Sequence, residues 1–180
     1  MKKLPPIWSS SSKWFIPFHL CIMTLVFLLA LFLTIEEVEG SQQPEGRLCL
    51  AQNIYFEAAN QPLAGRIAVA NVVLNRVDDG QFPDTICGVI YEAKWEENWK
   101  GNMVPIRNQC QFSWFCDGKS DDPTDSKTWM KAIRLADSIL DGTYGDITEN
   151  ALWYHADNVD PYWNDYLEET VIINNHIFYK

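Results

Sequence analysis

An uncharged, mostly apolar run from Phe15 to Ile35 limits what this chain can fold into more than any other feature. The run is long enough to cross a bilayer as a helix. Basic residues precede it and acidic residues follow it at once, which favours an N-terminus inside the cell and an exported remainder. The sequence therefore predicts four parts: a basic cytoplasmic tail at 1–14, a signal anchor or signal peptide core at 15–35, a linker at 36–46 and a folded domain at 47–180.

The residues after this run bear on how the exported domain is held. Val38, Glu39 and Gly40 are small or tolerated at the positions that a signal peptidase reads, so cleavage after Gly40 would secrete the domain. The apolar run is longer than a usual signal core, which favours an uncleaved anchor. We therefore expect a domain that is attached to the membrane through its N-terminal segment and faces the periplasm or cell wall, or that is secreted.

Four cysteines fall in the exported part, where disulfides form and persist. They are Cys49, Cys87, Cys110 and Cys116. Four cysteines allow three pairings, and the sequence does not choose among them. Cys110 and Cys116 are close enough to close a small loop, and we predict at least one disulfide with Cys110 as a partner. Four buried thiols are the alternative, and a zinc site is disfavoured because no Cys-x-x-Cys spacing occurs.

The net charge of −10 belongs entirely to the exported part, because residues 1–40 contain three basic and three acidic groups. No cluster of lysine and arginine occurs there, which excludes a nucleic-acid surface. Any polymer that the domain handles must therefore be held by hydrogen bonds and by stacking on aromatic rings.

Helical patterns dominate residues 47–180, and a few short β-branched and aromatic runs follow them. We predict helices over Arg47–Ala58 and Leu63–Val77, a third from Pro83 to near Ala93, and a fourth that Thr124 or Asp125 caps and Gly142 ends. Ala151–His155 and Val171–Tyr179 are predicted strands. The fold class is α+β, with a mainly helical body and a small late antiparallel sheet.

Glu57 is the first candidate for chemistry. It ends an apolar, half-buried helix, directly before the break at Asn60, Gln61 and Pro62. Burial there would raise the pKa of its carboxyl group and suit it to general acid catalysis near neutral pH. A buried glutamate that serves as a structural hydrogen-bond acceptor is the alternative.

Two further stretches contain candidate binding groups. The first is the predicted loop 109–118, where Gln111, Ser113 and Trp114 combine the amide, hydroxyl and aromatic groups that recognise sugars; a disulfide-closed loop with its rings in the core is the alternative. The second contains Tyr154 and His155. Paired strands could bring His155 and Asp157 near His176 in a zinc ligand set, but this pattern is weak, and we expect no metal.

Several segments, in order, resemble the spore cortex-lytic (SleB-like) cell wall hydrolase family. They run from about Cys49 to Lys180 and comprise Ala51 with Ile54-Tyr55 and Glu57-Ala58, Gly65 with Ala68 to Ala70 and Val72 to Val77, Phe82-Pro83 with Thr85 and Cys87, Gln111 to Trp114, Tyr154 to Ala156, and Asn175-His176 with Phe178-Tyr179. The resemblance implies a lysozyme-like fold that cleaves peptidoglycan glycan strands between N-acetylmuramic acid and N-acetylglucosamine. It also implies that Glu57 is the catalytic acid, that no cofactor is needed, and that the activity is that of a lytic transglycosylase.

The chain departs from the family pattern just after that glutamate. The family continues with Ala-Arg-Gly-Glu, whereas this chain has Ala58-Ala59-Asn60-Gln61, so an arginine and a second glutamate are absent. A hydrolase needs two carboxylates across the scissile bond, and only Asp117, Asp146, Asp157 and Asp160 are loop candidates for the second. A lytic transglycosylase needs one, which favours that mechanism over hydrolysis.

Two other classes of function stay open. One is a zinc-dependent amidase or peptidase that uses His155, Asp157 and His176. The other is a non-catalytic wall-binding domain. In the favoured hypothesis Tyr154 is a second polar group beside the scissile bond, and Gln111, Ser113, Trp114 and His155 contribute to substrate binding around Glu57.

Overall fold

The computed structural model describes residues 44–180. The segments predicted at 1–14 and 15–35 lie outside the described residues, as does most of the linker. No helix within 44–180 is both long enough and apolar enough to cross a membrane.

Helices and short strands alternate along the described part of the chain, which confirms the α+β class. The order is α1 (Pro44–Ala58), α2 (Leu63–Asp78), α3 (Ile86–Ile90), β1 (Ala93–Glu97), β2 (Met103–Cys110), a 3-10 turn (Ser113–Cys116), α4 (Ser126–Leu140), β3 (Trp153–Ala156), a 3-10 turn (Asn164–Tyr166), β4 (Glu169–Ile173) and β5 (His176–Tyr179). α1, α2 and α4 match the predicted segments closely. As expected, Asp125 caps α4 by accepting a hydrogen bond from the Thr128 amide, and Gly142 follows its end at a φ of 80°.

The main core lies between α1 and the helices packed around it. Leu50 and Ile54 of α1, Val73 of α2, Ile90 of α3 and Ala136 of α4 are almost wholly inaccessible to solvent. Apolar residues that recur at helical spacing meet here from four segments, so the patterned faces of the sequence become one core.

A second, smaller core joins the late sheet to α2. The three strands are antiparallel in the order β3–β5–β4, and Phe178 of the central strand packs against Ala68, Val72 and Ala151. The predicted strand Val171–Tyr179 is wrong as a single strand, because the chain turns back between β4 and β5. Asn174 occupies this turn with a φ of 55°, a left-handed conformation that asparagine tolerates.

Residues 83–110 differ most from expectation. The third helix does not begin at Pro83, because the Thr85 hydroxyl caps a shorter helix by accepting a hydrogen bond from the Gly88 amide. It ends at Ile90, and Ala93 instead opens an antiparallel ribbon of β1 and β2. Gln109 and Cys110, predicted in a loop, form the end of β2.

Two disulfides form within the described residues, which confirms the predicted bridge at Cys110. Cys49 of α1 is bonded to Cys87 of α3, and Cys110 at the end of β2 is bonded to Cys116 of the 3-10 turn. The first bridge holds two core helices together. The second closes the short segment that contains Gln111, Ser113 and Trp114.

Candidate active site

Glu57 lies in the last turn of α1 and faces a groove of about 340 Å³. The helix ends at Ala58, and the Gln61 amide closes the following turn by donating a hydrogen bond to the Ala58 carbonyl (3.0 Å). The groove is lined by Phe56, Glu57, Ser113, Trp114, Asp117, Lys119 and Ser120. A carboxyl group therefore stands in a concave surface that is built mainly by the disulfide-closed segment and the residues after it.

Tyr154 of β3 brings a hydroxyl group to this carboxylate from the far end of the chain. Its Oη donates a hydrogen bond to Oε2 of Glu57 over 3.2 Å. Burial raises the pKa of Glu57, and the hydrogen bond from Tyr154 and the charge of Arg76 only partly oppose that rise. Burial and the nearby Glu57 charge raise the pKa of Tyr154, so its hydroxyl group remains a donor at neutral pH.

Arg76 of α2 is a buried cation beside this pair, and no role was predicted for it. Only 5% of its surface is exposed, and its Nε donates to the Leu152 carbonyl (2.7 Å). Its guanidinium carbon lies 5.2 Å from the centre of the Phe82 ring and 5.5 Å from that of Phe112. The signal that could have revealed it is an arginine in an otherwise apolar helical stripe.

Because Arg76 is buried, its charge interacts with the groups of the site and is little screened by solvent. Burial lowers the pKa of its guanidinium group, and the nearby Tyr154, Glu92 and Glu57 act in the opposite direction. Its Nη1 is buried and makes no hydrogen bond within residues 46–180. Arg76 is thus a fixed positive charge behind Glu57.

Ser113 and Trp114 line the groove of Glu57, but Trp114 is mostly a core residue. Its indole is 7% exposed, stacks on Phe56 with 4.8 Å between ring centres, and donates from Nε1 to Asn53 Oδ1 (3.1 Å). Trp114, predicted to contribute to substrate binding, thus lines the groove with a mostly buried ring, while Ser113 is exposed in the groove wall.

Asp117 is the loop carboxylate that shares the groove with Glu57. It accepts hydrogen bonds from the Lys119 side chain (2.9 Å) and amide (2.8 Å), and these lower the pKa of its carboxyl group. Asp146 instead holds the segment before β3 by accepting from the Thr148 hydroxyl (2.6 Å) and the Asn150 amide (2.6 Å). The two remaining candidates, Asp157 and Asp160, are exposed beyond β3.

Gln111 does not share the groove of Glu57. It lines a second groove of about 310 Å³ at the base of the β1–β2 ribbon. The side chains predicted to converge on Glu57 from 109–118 are therefore divided, with Ser113 in the first groove and Gln111 in the second.

His155 and His176 lie on opposite faces of the late sheet, so the zinc ligand set does not form. Ala156, not His155, is opposite His176 in the β3–β5 ladder, and successive side chains alternate between faces. His155 donates from Nδ1 to the Ala156 carbonyl (2.9 Å), and its Nε2 accepts from the Tyr179 hydroxyl (2.9 Å). It is a structural residue of the sheet, and its predicted place beside Glu57 is wrong. Among the described residues no group of three His, Cys, Asp or Glu side chains could hold a metal ion.

Comparison with known proteins gives matches over most of residues 44–180. Residues 60–179 match the cell wall hydrolase family, a range that begins three residues after Glu57. The spore cortex-lytic enzyme of Oceanobacillus iheyensis is 31% identical over 145 residues, which are 79% of this chain and 44% of that protein. The enzyme of the same name from Bacillus cereus is 32% identical over 133 residues, 73% of this chain and 42% of that protein. The chain thus spans less than half the length of these relatives.

Two solved structures resemble the described fold. One is the catalytic domain of the Bacillus cereus SleB protein, with a TM-score of 0.53, 30% identity, and coverage of 76% of this chain and 91% of that one. The other is the catalytic domain of the germination-specific lytic transglycosylase SleB from Bacillus anthracis. It gives a TM-score of 0.57 at 30% identity and covers 79% of this chain and all (100%) of that domain.

Proposed function

Since this chain belongs to the cell wall hydrolase family, we propose that it cleaves the glycan strands of peptidoglycan between N-acetylmuramic acid and N-acetylglucosamine. The observation that carries the proposal is Glu57 in its groove, half-buried and in contact with the Tyr154 hydroxyl. The fold that it shares with a domain named as a lytic transglycosylase supports the same activity.

Glu57 acts first as a general acid. Burial raises the pKa of its carboxyl group, which keeps more of it protonated near neutral pH than an exposed glutamate would be. It gives that proton to the glycosidic oxygen while the bond between this oxygen and C1 of the muramic residue breaks. The departing sugar leaves with a hydroxyl group, and Glu57 is left as a carboxylate.

The same carboxylate then acts as a general base. It accepts the proton of the muramic 6-hydroxyl group as that oxygen attacks C1, which forms a 1,6-anhydro ring. Glu57 ends the cycle protonated, so no water is consumed and no second carboxylate is needed. Tyr154 and Arg76 stabilise the carboxylate between the two steps, because both interact more favourably with the anion than with the acid.

Hydrolysis is the second candidate, and Asp117 is the observation that favours it. Its carboxylate lines the groove of Glu57 and remains charged, as the second group of a two-carboxylate glycosidase must. The Asp117 carboxylate, however, already accepts hydrogen bonds from the side chain and the backbone amide of Lys119. We therefore favour the transglycosylase mechanism, in which Asp117 has no chemical step.

Export of the domain is part of the same proposal. The apolar run at 15–35 and the two disulfides both fit a domain that folds outside the cytoplasm and meets peptidoglycan there, either anchored through the N-terminal segment or secreted after cleavage behind Gly40. We also propose that the fold is lysozyme-like, as the sequence resemblance implies.

Glu57→Gln tests the catalytic role. The amide keeps the shape and can still accept from Tyr154, but it has no proton to give, so turnover of purified peptidoglycan should fall by about two or more powers of ten. The measurement is the release of soluble fragments, with circular dichroism to verify folding. A folded Glu57→Gln protein that clears cell walls like the wild type would exclude this assignment.

Asp117→Asn separates the two glycosidase mechanisms. A transglycosylase should keep its rate within about threefold, since only a surface ion pair is lost. A hydrolase that uses Asp117 to activate water or to attack C1 should lose about two or more powers of ten. Ser120→Ala, at another residue of the same groove, is the matched control for a change in groove shape.

A further inference from the structure

The groove of Glu57 has a neighbour that the mechanism does not use. This second groove lies between the residues that follow α2 and the base of the β1–β2 ribbon. Its lining residues are Gln81, Phe82, Glu92, Ala93, Lys94, Gln109, Cys110 and Gln111. At about 310 Å³ it is nearly as large as the groove of Glu57, so it can hold a group the size of an amino-acid residue or larger.

A wide bulge in the ribbon opens this groove. Ala93 pairs with Cys110, and the next pair is Trp95 with Pro105, so the single residue Lys94 faces the four residues 106–109. Asn108 within the bulge has a φ of 58°. Bulges of this kind turn side chains away from the regular pleat. Here the bulge leaves Lys94 and Gln109 at the edge of one concave surface.

The disulfide-closed segment from Cys110 to Cys116 contributes lining residues to both grooves. Gln111 lines the second groove and Ser113 the first, with the buried ring of Phe112 between them. Arg76 contacts the rings of Phe82 and Phe112 from behind, and the charges of both Glu92 and Glu57 act on its pKa. Phe112 and Arg76 therefore lie between the linings of the two grooves.

The two charged side chains of the second groove suit a peptide better than an uncharged sugar, while its amides can bind either. Gln81, Gln109 and Gln111 each offer an amide donor and an amide acceptor, the pair that a peptide bond requires. Glu92 and Lys94 add one charge of each sign, and within residues 46–180 neither forms an ion pair. The sugars of a glycan strand are uncharged, whereas its peptide branches carry carboxylates, amides and the ammonium group of a diamino acid.

We propose that the second groove binds the peptide branch of peptidoglycan while the groove of Glu57 holds the glycan strand. The proposal rests on the proposed function, in which cleavage takes place at the muramic residue, the sugar that carries the branch. Lys94 binds a carboxylate of the branch, Glu92 its ammonium group, and the three glutamines its peptide bonds. The enzyme would then prefer glycan that still carries its peptides.

The first experiment measures binding without turnover. A synthetic stem peptide that lacks sugar and ends in a diamino acid is titrated into the Glu57→Gln protein and followed by NMR. We expect saturable shifts of the Lys94, Gln109 and Gln111 amides. Adding Lys94→Met should weaken binding about five- to tenfold, as expected for one solvent-exposed hydrogen bond. Adding Lys100→Met, an exposed lysine over Trp99 at the far end of the ribbon, should leave the affinity unchanged.

Absence of saturable binding, or equal affinities of the Lys94→Met and Lys100→Met proteins, would overturn the proposal. The second experiment compares two substrates, glycan strands with their peptides and the same strands stripped of peptides by an amidase. The ratio of kcat/KM on the first to that on the second should fall about fivefold for Lys94→Met and stay at the wild-type value for Lys100→Met. An unchanged ratio for Lys94→Met would contradict a peptide site.

These two experiments separate failure of this inference from failure of the proposed function. A wild-type protein that cleaves neither kind of strand would contradict glycan cleavage, whereas peptide binding to the Glu57→Gln protein is read without any cleavage. A protein that cleaves both strands but does not bind the stem peptide would leave the proposed function intact and exclude the peptide site.

Discussion

Glu57 has two neighbours that act on its charge in the same direction. Tyr154 donates a hydrogen bond to its carboxylate, and Arg76 contributes a buried positive charge, so both lower the pKa that burial raises. The balance matters in the proposed mechanism, because there the carboxyl group gives a proton in one step and takes one back in the next. A site with burial alone would favour only the acid form.

Tyr154→Phe tests this balance through the pH dependence of kcat/KM. Loss of the hydroxyl group removes an interaction that lowers the pKa of Glu57, so that pKa rises and the alkaline limb of the profile moves to higher pH. At neutral pH the rate should also fall about tenfold, since one hydrogen bond to the anionic intermediate state is lost.

Tyr91→Phe is the matched control. The Tyr91 hydroxyl donates to Gln52, and neither residue lines the groove of Glu57. This variant should keep the wild-type pH profile. An alkaline limb that stays in place or moves to lower pH in Tyr154→Phe would contradict the role given to the hydroxyl group.

Some of these residues could be predicted from the sequence and others could not. Glu57 could be identified because the apolar helix that it ends and the turn residues that follow it are adjacent in the sequence. Glu57 and Tyr154 are 97 residues apart in the sequence and meet only when the late sheet has folded. Their contact could therefore be expected only from the resemblance to a family. Arg76 was missed because a cation within an apolar stripe is normally assigned to the solvent-facing side of its helix.

The two disulfides join elements with different tasks, and their removal should have different effects. Cys49–Cys87 closes a loop of 38 residues between two core helices, and Cys110–Cys116 closes one of six beside the grooves. From the chain entropy of the unfolded state, loss of the first should cost about 4 kcal/mol and loss of the second about 2 kcal/mol. Both can be measured by denaturant unfolding of the paired Cys→Ser variants.

Activity should show the opposite order. At a temperature where both variants remain folded, the Cys110→Ser/Cys116→Ser protein should lose more of its kcat/KM, because Ser113 and Gln111 lie in the released segment. The Cys49→Ser/Cys87→Ser protein should keep a rate close to that of the wild type. A larger loss of activity in this second protein would contradict the assignment of the short loop to the substrate site.

Among the elements, the β1–β2 ribbon was the one that the sequence patterns did not reveal. Apolar and polar residues do not alternate along its strands, because most of its side chains are exposed on both faces and four residues form the bulge. The turn between the strands did carry a signal. Asn98 accepts hydrogen bonds from the Lys100 and Asn102 amides, and Gly101 has a φ of 78°. The helices α1, α2 and α4 were predictable because their apolar faces meet in one core.

For the whole molecule, the charge distribution limits how substrate can be attracted. A net charge of −10 gives no general attraction to a wall polymer whose peptides carry carboxylates. Under our proposals, recognition comes from short-range contacts in the two grooves, with the cations Arg76 and Lys94 acting locally. The composition predicted this dependence on hydrogen bonds, but the division of the site into two grooves follows from the bulge and the short disulfide.

Digestion of purified peptidoglycan in water enriched in oxygen-18, followed by mass spectrometry of the soluble products, tests the central claim most directly. If Glu57 alone serves as acid and base, the wild-type protein should release fragments that end in 1,6-anhydro-muramic acid and contain no heavy oxygen, and Glu57→Gln should release almost none. Reducing ends that carry one heavy oxygen would show hydrolysis, and free peptides from intact glycan would show an amidase. Either product as the main one would contradict the mechanism.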